Sequence, residues 1–151
     1  MTSILFVCLG NICRSPSAEA VLRYKARMMG FEAHIDSAGT GGWHEGEPPD
    51  PRAQAAGEVR GYNFKGQSAR AVRNDDFVIF DHILAMDSHN YDDLIARCPA
   101  QYRFKIRKFL ALIPDNALED VPDPYYGGAN GFEHVLDLIE AASEALLHEI
   151  A

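Results

Sequence analysis

An apolar run, Ile4-Leu5-Phe6-Val7, passes directly into Cys8-Leu9-Gly10-Asn11-Ile12-Cys13-Arg14-Ser15-Pro16, and a helix-like segment (Ala18 to Met29) follows. This order of strand, tight loop and helix start constrains the chain more than any other stretch. Successive backbone N–H groups in such a loop converge on one point, and the helix dipole adds partial positive charge there. The result suits a phosphate-sized dianion. The same field favours the thiolate form of a cysteine placed at that point. Arg14 adds a planar fork able to grip two oxygens at once. A thiolate and an oxyanion cradle in one loop imply nucleophilic attack on phosphorus.

Strand and helix signals alternate along the rest of the chain, which indicates an α/β fold with a mostly parallel sheet. Strands are expected at Ser3–Val7, Ala33–Ser37, His82–Met86 and Arg103–Leu110, though the spacing in the last also permits a helix. Helices are expected around Ala18–Met29, with a stop at Gly30, at Pro51–Val59 after the cap Asp50, at Asn74–Phe80, and at Asp87–Arg97 before Cys98-Pro99. Gly41–Pro51 reads as a loop and Pro114–Gly131 as a long irregular stretch. Phe132, Val135, Leu136, Ile139, Ala142, Leu146 and Ile150 form the stripe of a final amphipathic helix. Ligands in open α/β sheets bind beyond the carboxyl ends of the strands, so the loops after the first three strands belong to the site.

With 151 residues the chain fits one domain, and with no repeat or linker it is expected to span 1–151. A formal net charge of −8 argues against a nucleic-acid partner, so any positive potential at a phosphate site must be made locally. Cys8, Cys13 and Cys98 are too few and too unevenly spaced for a disulfide framework or a four-ligand zinc site. The apolar run at Ile4–Leu9 is too short to span a membrane, and a cleavage after it would discard Cys8. A cytoplasmic protein without stable membrane insertion is expected, with no metal and no cofactor. Oligomeric state is not legible in the sequence; a monomer is the expectation.

Each candidate residue has a plainer alternative. Cys8 could be a buried structural cysteine, but Arg14 six positions on and Ser15 opening a helix favour the nucleophile. Ser15 could cap the helix, hydrogen-bond the Cys8 sulfur, or do both. Breaking an aryl phosphate needs a proton for the leaving oxygen. Asp123, in Val121-Pro122-Asp123-Pro124-Tyr125-Tyr126, is the candidate donor; from spacing alone it reads equally as a turn former. Trp43 and His44 sit on an exposed-looking loop, where Trp43 is either a substrate wall or packed on the domain's own surface.

Together these residues resemble the low-molecular-weight protein tyrosine phosphatases. The match runs from Ile4 through Pro16, Ser37-Ala38-Gly39-Thr40 and Ala85-Met86-Asp87 to Asp123-Pro124-Tyr125. The resemblance implies a four-stranded parallel sheet in order 2-1-3-4 with helices on both faces, and a two-step reaction without metal on phosphotyrosine protein substrates. In it Cys8 attacks phosphorus, Arg14 binds phosphate, Asp123 protonates the phenolate, and water cleaves the cysteinyl-phosphate. It further implies that Leu9, Gly10, Asn11, Ile12, Cys13 and Ser15 form the phosphate loop, with Asn11 strained and Ser37 supporting it. Trp43, His44, Tyr125 and Tyr126 are implied as the substrate rim, and Cys13 as the redox partner of Cys8. One departure stands out. Many relatives carry His where this chain has Gln67, so the Asn11 network must use the Gln67 amide or lose that contact.

Two rivals remain to be weighed. Arsenate reduction on the same fold needs further cysteines to relay a disulfide, and Cys98 alone cannot do it. A non-catalytic phosphate-binding module would lack the thiol or the acid, and both residues are present.

Overall fold

The computed structural model describes residues 1–114, 118–124 and 130–151. Four parallel strands make one sheet in the order β2-β1-β3-β4. They are β1 (Thr2–Cys8), β2 (Ala33–Gly39), β3 (His82–Ala85) and β4 (Ile106–Lys108). Helices α1 (Arg14–Met29), α2 (Pro51–Val59), α3 (Asp76–Ile79), α4 (Ser88–Arg97) and α5 (Asn130–Ile150) join and cover them. The fold class and strand order match the expectation.

Alternation along β1 explains the layers, because successive side chains point to opposite faces. Ile4 and Phe6 pack among residues of α1 and α5, including Val21, Leu22, Leu136 and Ile139. Leu5 and Val7 face the other way, onto Phe77 of α3 and Leu94 of α4. β1 is thus buried on both faces, as an apolar run without alternation requires. Phe6 meets Phe109 edge-on, with ring centroids 5.0 Å apart.

Local signals set the helix ends. Gly30, at φ 70°, closes α1 in the left-handed conformation, donating to the carbonyls of Ala26 and Arg27. Asp50 caps α2 by accepting from the Arg52 N–H, with Pro51 in the first turn. Asp87 caps α4 by accepting from the Asn90 N–H at 2.8 Å.

Three expectations need correction. The fourth strand is only Ile106–Lys108, not Arg103–Leu110, and 3-10 turns at Ala100–Lys105 and Phe109–Leu112 flank it. It is an edge strand that pairs with β3 alone, over Ile83–Ala85, so no second neighbour extends it. The flanking turn instead buries Phe109 and Leu110. Ser15 is not the cap of α1: that helix starts at Arg14, and its cap position, Cys13, makes no side-chain capping bond. The short helix expected over Asn74–Phe80 shrinks to Asp76–Ile79, with the Asp76 carboxylate accepting from the Arg73 N–H before its first turn.

Truncating Phe6 to Ala should lower unfolding free energy by about 3–5 kcal/mol in urea denaturation, because a fully buried ring leaves a cavity. Phe104→Ala, at a side chain 77% exposed, should change it by no more than about 0.5 kcal/mol. Equal losses at both sites would show that the layer between sheet and α5 is not the main core.

Candidate active site

Cys8 ends β1 and Arg14 begins α1, so the loop between them bends back on itself within five residues. The bend rests on Asn11, at φ 58°, the only non-glycine residue with positive φ among the described residues. Such a conformation costs of order 1–3 kcal/mol and persists only where neighbours hold it. Here they do. The Asn11 Nδ2 donates to Ser15 Oγ at 2.8 Å and to Ser37 Oγ at 3.0 Å, and its Oδ1 accepts from the Arg70 N–H at 3.0 Å.

Proton bookkeeping gives this network a direction. Ser37 has one hydroxyl hydrogen, which goes to Glu19 Oε1 at 2.7 Å, leaving a lone pair for Asn11. Ser15 likewise accepts from Asn11, so its hydrogen is available to Cys8 Sγ, 3.0 Å away. The alternative acceptor, the Ala38 carbonyl, lies farther off at 3.4 Å. Cys8 Sγ also accepts from the Asn11 N–H at 3.3 Å. Two donors therefore converge on a sulfur that is almost completely buried. Of the two roles weighed for Ser15, the structure shows the contact to sulfur.

The loop's carbonyls are turned outward and tied down. Cys8 O accepts from Thr40 N, Leu9 O from Gly41 N, Ile12 O from Asp50 N and Cys13 O from Ser17 N. With these oxygens engaged outside, the intervening N–H groups are left to face the cradle. The close approach demands glycine at 39, where a Cβ would lie 2.8 Å from Leu9 O. Gln67 does not replace the missing histidine in the Asn11 network. Its Nε2 donates to Pro16 O at 3.2 Å, bracing the first turn of α1, and Asn11 is completed by the Arg70 backbone instead.

Arg14 is 2% exposed and anchored by residues beyond the end of β3 and in the 118–124 segment. Its Nη1 donates to Asp87 Oδ2 at 2.7 Å and to Val121 O at 3.0 Å. Burial works against the guanidinium's charge, but Cys8 and Asp87 outweigh it and hold the group more basic than usual. Val121 is itself fixed, its N–H donating to Met86 O at 2.7 Å. That bond brings the irregular 118–124 segment over the cleft, a position the sequence left open. Asp123 Oδ2 lies 3.5 Å from Arg14 Nη2, with the side chain 39% exposed.

Cys8, Leu9, Gly10, Ile12, Cys13 and Arg14 floor a cleft of about 380 Å³, and Trp43, His44 and Asp123 wall it. Trp43 is 72% exposed, so it is a wall rather than core, and its ring occupies the space a Cβ at Gly41 would need. His44 Nδ1 pairs with Glu47 Oε2 at 2.6 Å. Tyr125 and Tyr126 lie outside the described residues. Burial, and then the negative charges of Asp50 and Cys8, push the Cys13 thiol up to about 12. Cys13 is therefore a neutral thiol in the site.

Three functional residues escaped the sequence reading as site members. Glu19 and Arg70 carry the Asn11 network, and Asp87 anchors Arg14. Asp87 had a signal, since it follows the carboxyl end of β3, where site residues collect. Glu19 had a weaker one, an acid among Ala18, Ala20, Val21 and Leu22 on an otherwise apolar stretch. Arg70 acts through its backbone and had none.

A thiol at the end of a parallel strand, a backbone cradle, a buried arginine and an overhanging carboxylate meet in one candidate phosphatase site. The sequence model described as low molecular weight phosphotyrosine protein phosphatase matches residues 3–151. The chain is 46% identical over 152 residues to the low molecular weight protein-tyrosine-phosphatase YfkJ of Bacillus subtilis, covering 99% of this chain and 96% of the relative. It is 38% identical over 156 residues to the low molecular weight phosphotyrosine protein phosphatase of Sus scrofa, covering 98% and 95%. The crystal structure of a protein tyrosine phosphatase from Entamoeba histolytica, with Hepes in the active site, superposes with a TM-score of 0.96 at 44% identity, covering 99% of this chain and 97% of that one. The chain belongs to the low molecular weight phosphotyrosine protein phosphatase family, and its enzyme class is protein-tyrosine phosphatase, a hydrolase. Among the described residues no helix is long and apolar enough to cross a membrane.

Asp87→Asn keeps an oxygen for the α4 cap but removes the charge opposite Arg14. Turnover of p-nitrophenyl phosphate should fall about 10–100-fold, because a buried guanidinium left without its anion re-orients. Activity within about twofold of wild type would show that Arg14 needs no such anchor.

Proposed function

We propose that the protein hydrolyses phosphotyrosine in protein substrates through a cysteinyl-phosphate. The observation carrying this reading is the convergence of Cys8, Arg14 and Asp123 on one cleft, with Arg14 locked at Nη1. The guanidinium N–H groups beyond Nη1 remain to grip equatorial phosphate oxygens. Cys8 Sγ attacks phosphorus from the floor as the bond to the phenolic oxygen breaks. Asp123, at the mouth, gives its proton to that oxygen, and the cradle N–H groups and Arg14 hold the charge of the transferring group. In the second step Asp123 takes a proton from water, water attacks phosphorus, and the sulfur–phosphorus bond breaks. Ser15 then stabilises the departing thiolate through the 3.0 Å contact. The domain carrying this chemistry is residues 1–151, and its working compartment is the cytoplasm, where cysteines stay reduced.

Leu9, Gly10, Asn11, Ile12, Cys13, Ser15 and Ser37 serve this reading as the phosphate loop and its support. Trp43 and His44 select what enters, together with Tyr125 and Tyr126, which enter the proposal on the resemblance alone.

Cys8→Ser should abolish turnover of p-nitrophenyl phosphate while keeping vanadate binding; substantial residual turnover would refute the covalent route. Asp123→Asn should slow aryl phosphates with basic leaving groups by about 10²–10⁴, the usual worth of a positioned acid, and those with acidic leaving groups far less. Equal slowing of both classes would remove Asp123 as the acid.

The proposal extends to redox protection. Peroxide converts the Cys8 thiolate to a sulfenic acid, and the Cys13 thiolate then displaces hydroxide from that sulfur to form a disulfide. Since the Cys13 thiol is pushed up to about 12, its thiolate fraction rises with pH throughout the working range. Recovery of peroxide-treated enzyme by dithiothreitol should therefore increase as the oxidation pH is raised, by up to about tenfold in closure rate per unit. In Cys13→Ser a second equivalent of peroxide takes the Cys8 sulfenic acid on to sulfinic acid, so the loss should be permanent at every pH. Matched recovery in the two proteins would exclude Cys13 from that role.

A further inference from the structure

A second cleft, about 410 Å³ against about 380 Å³ for the first, lies between α1 and the loop after α2. Successive turns of α1 supply Glu19, Arg23 and Arg27 to one wall, and the loop after α2 supplies Asn63, Lys65 and Gln67 to the other. Gly61 and Gly66, at φ 92° and 86°, let that loop turn tightly enough to stand opposite the helix. The charges here are unbalanced. Arg23 is engaged by Glu19, at 2.8 Å, and by Ile35 O, at 2.6 Å. The side chains of Arg27 and Lys65 have no ion-pair partner among the described residues. In a chain of net charge −8, two uncompensated cations beside a third in one concavity form a local anion trap.

This cleft is wired to the nucleophile. Glu19, 5% exposed, forms its floor and accepts from Ser37 Oγ at 2.7 Å. Ser37 accepts from Asn11 Nδ2 at 3.0 Å, Asn11 donates to Ser15 Oγ at 2.8 Å, and Ser15 Oγ is 3.0 Å from Cys8 Sγ. Each contact is a direct hydrogen bond, and the chain passes through the one strained non-glycine residue of the described structure. Burial also raises the Glu19 carboxyl above its ordinary range, so its ionised form depends on Ser37 and Arg23 to stay in place.

We propose that this cleft is a regulatory site for a small polyanion bearing two phosphate groups, held by Arg27 and Lys65 and competing with Glu19 for Arg23. Weakening the Arg23–Glu19 pair shifts Glu19, loosens Ser37 and so relaxes the Asn11 bend that shapes the catalytic loop. Binding at the cleft is independent of the catalytic reading above; the effect on turnover rests on it.

Inorganic pyrophosphate is the probe, and it will also compete at the catalytic cleft. The test compares wild type with Arg27→Gln/Lys65→Gln, two exposed positions whose replacement leaves the core untouched. Calorimetry should show two pyrophosphate sites in wild type and one in the double variant. In wild type pyrophosphate should lower kcat for p-nitrophenyl phosphate by at least about fivefold, whereas in the double variant it should only raise KM. A single site in wild type, or the same isotherm in both proteins, overturns the site. A second site that leaves kcat unchanged overturns the coupling, as does a kcat effect undiminished in the double variant. If neither protein turns over the substrate, the catalytic reading fails while calorimetry still decides the cleft.

Discussion

The left-handed backbone at Asn11 is the constraint on which the rest of the site depends. A loop of five residues between Cys8 and Arg14 can aim its N–H groups inward only if one residue takes a conformation that L-amino acids avoid. Glycine would take it cheaply but would leave the loop free to relax. Asparagine takes it at a cost and offers three side-chain hydrogen bonds to hold it. The network from Glu19 through Ser37 to Asn11 and Ser15 holds the loop in this shape. On the proposed route, such preorganisation lets the site meet transition-state charge without reorganising at the moment of reaction.

A second consequence is that the site draws on both faces of the sheet. Glu19 and Ser15 come from α1, Ser37 from β2, and Arg70 from the segment that runs beside β2 through the Gly39–Ala71 bridge. Asp87 comes from the end of β3 and Val121 from the segment tied to Met86. The parallel sheet is what gathers them, because its strand ends all open on one side. Packing and catalysis are therefore coupled. The layers that bury Phe6 and Leu84 also fix the distance between Cys8 and Asp87.

Much of this was readable residue by residue. The apolar run, the Cys8–Arg14 spacing, the Asp50 cap and the Gly30 stop each act over a few residues, so short-range chemistry declares them. β4 was overextended because an edge strand ends where its neighbour ends, and no local signal reports the length of β3. The sequence leaves Ser15 between capping and the Cys8 sulfur, because a serine at a helix start usually caps. Only the placement of Asn11 and Ala38 around it shows where its single hydrogen goes. At Gln67 the sequence leaves two outcomes, an amide in place of the relatives' histidine or a lost contact to Asn11; the contact is lost, since the amide reaches Pro16 and the Arg70 backbone completes Asn11.

By itself the sequence determined the sheet-and-helix class and the loop that joins Cys8 to Arg14, because these depend on residue type and local spacing, whereas Asp123 was singled out over a plain turn former only by the family resemblance. Tertiary structure alone decided that Asp87 locks Arg14, that Glu19 closes the Asn11 network, and that the 118–124 segment hangs over the cleft. It also brought Arg23, Arg27 and Lys65 around a second concavity. Those arrangements join residues tens of positions apart, and the contacts exist only once the buried sheet has set the distances between its strand ends.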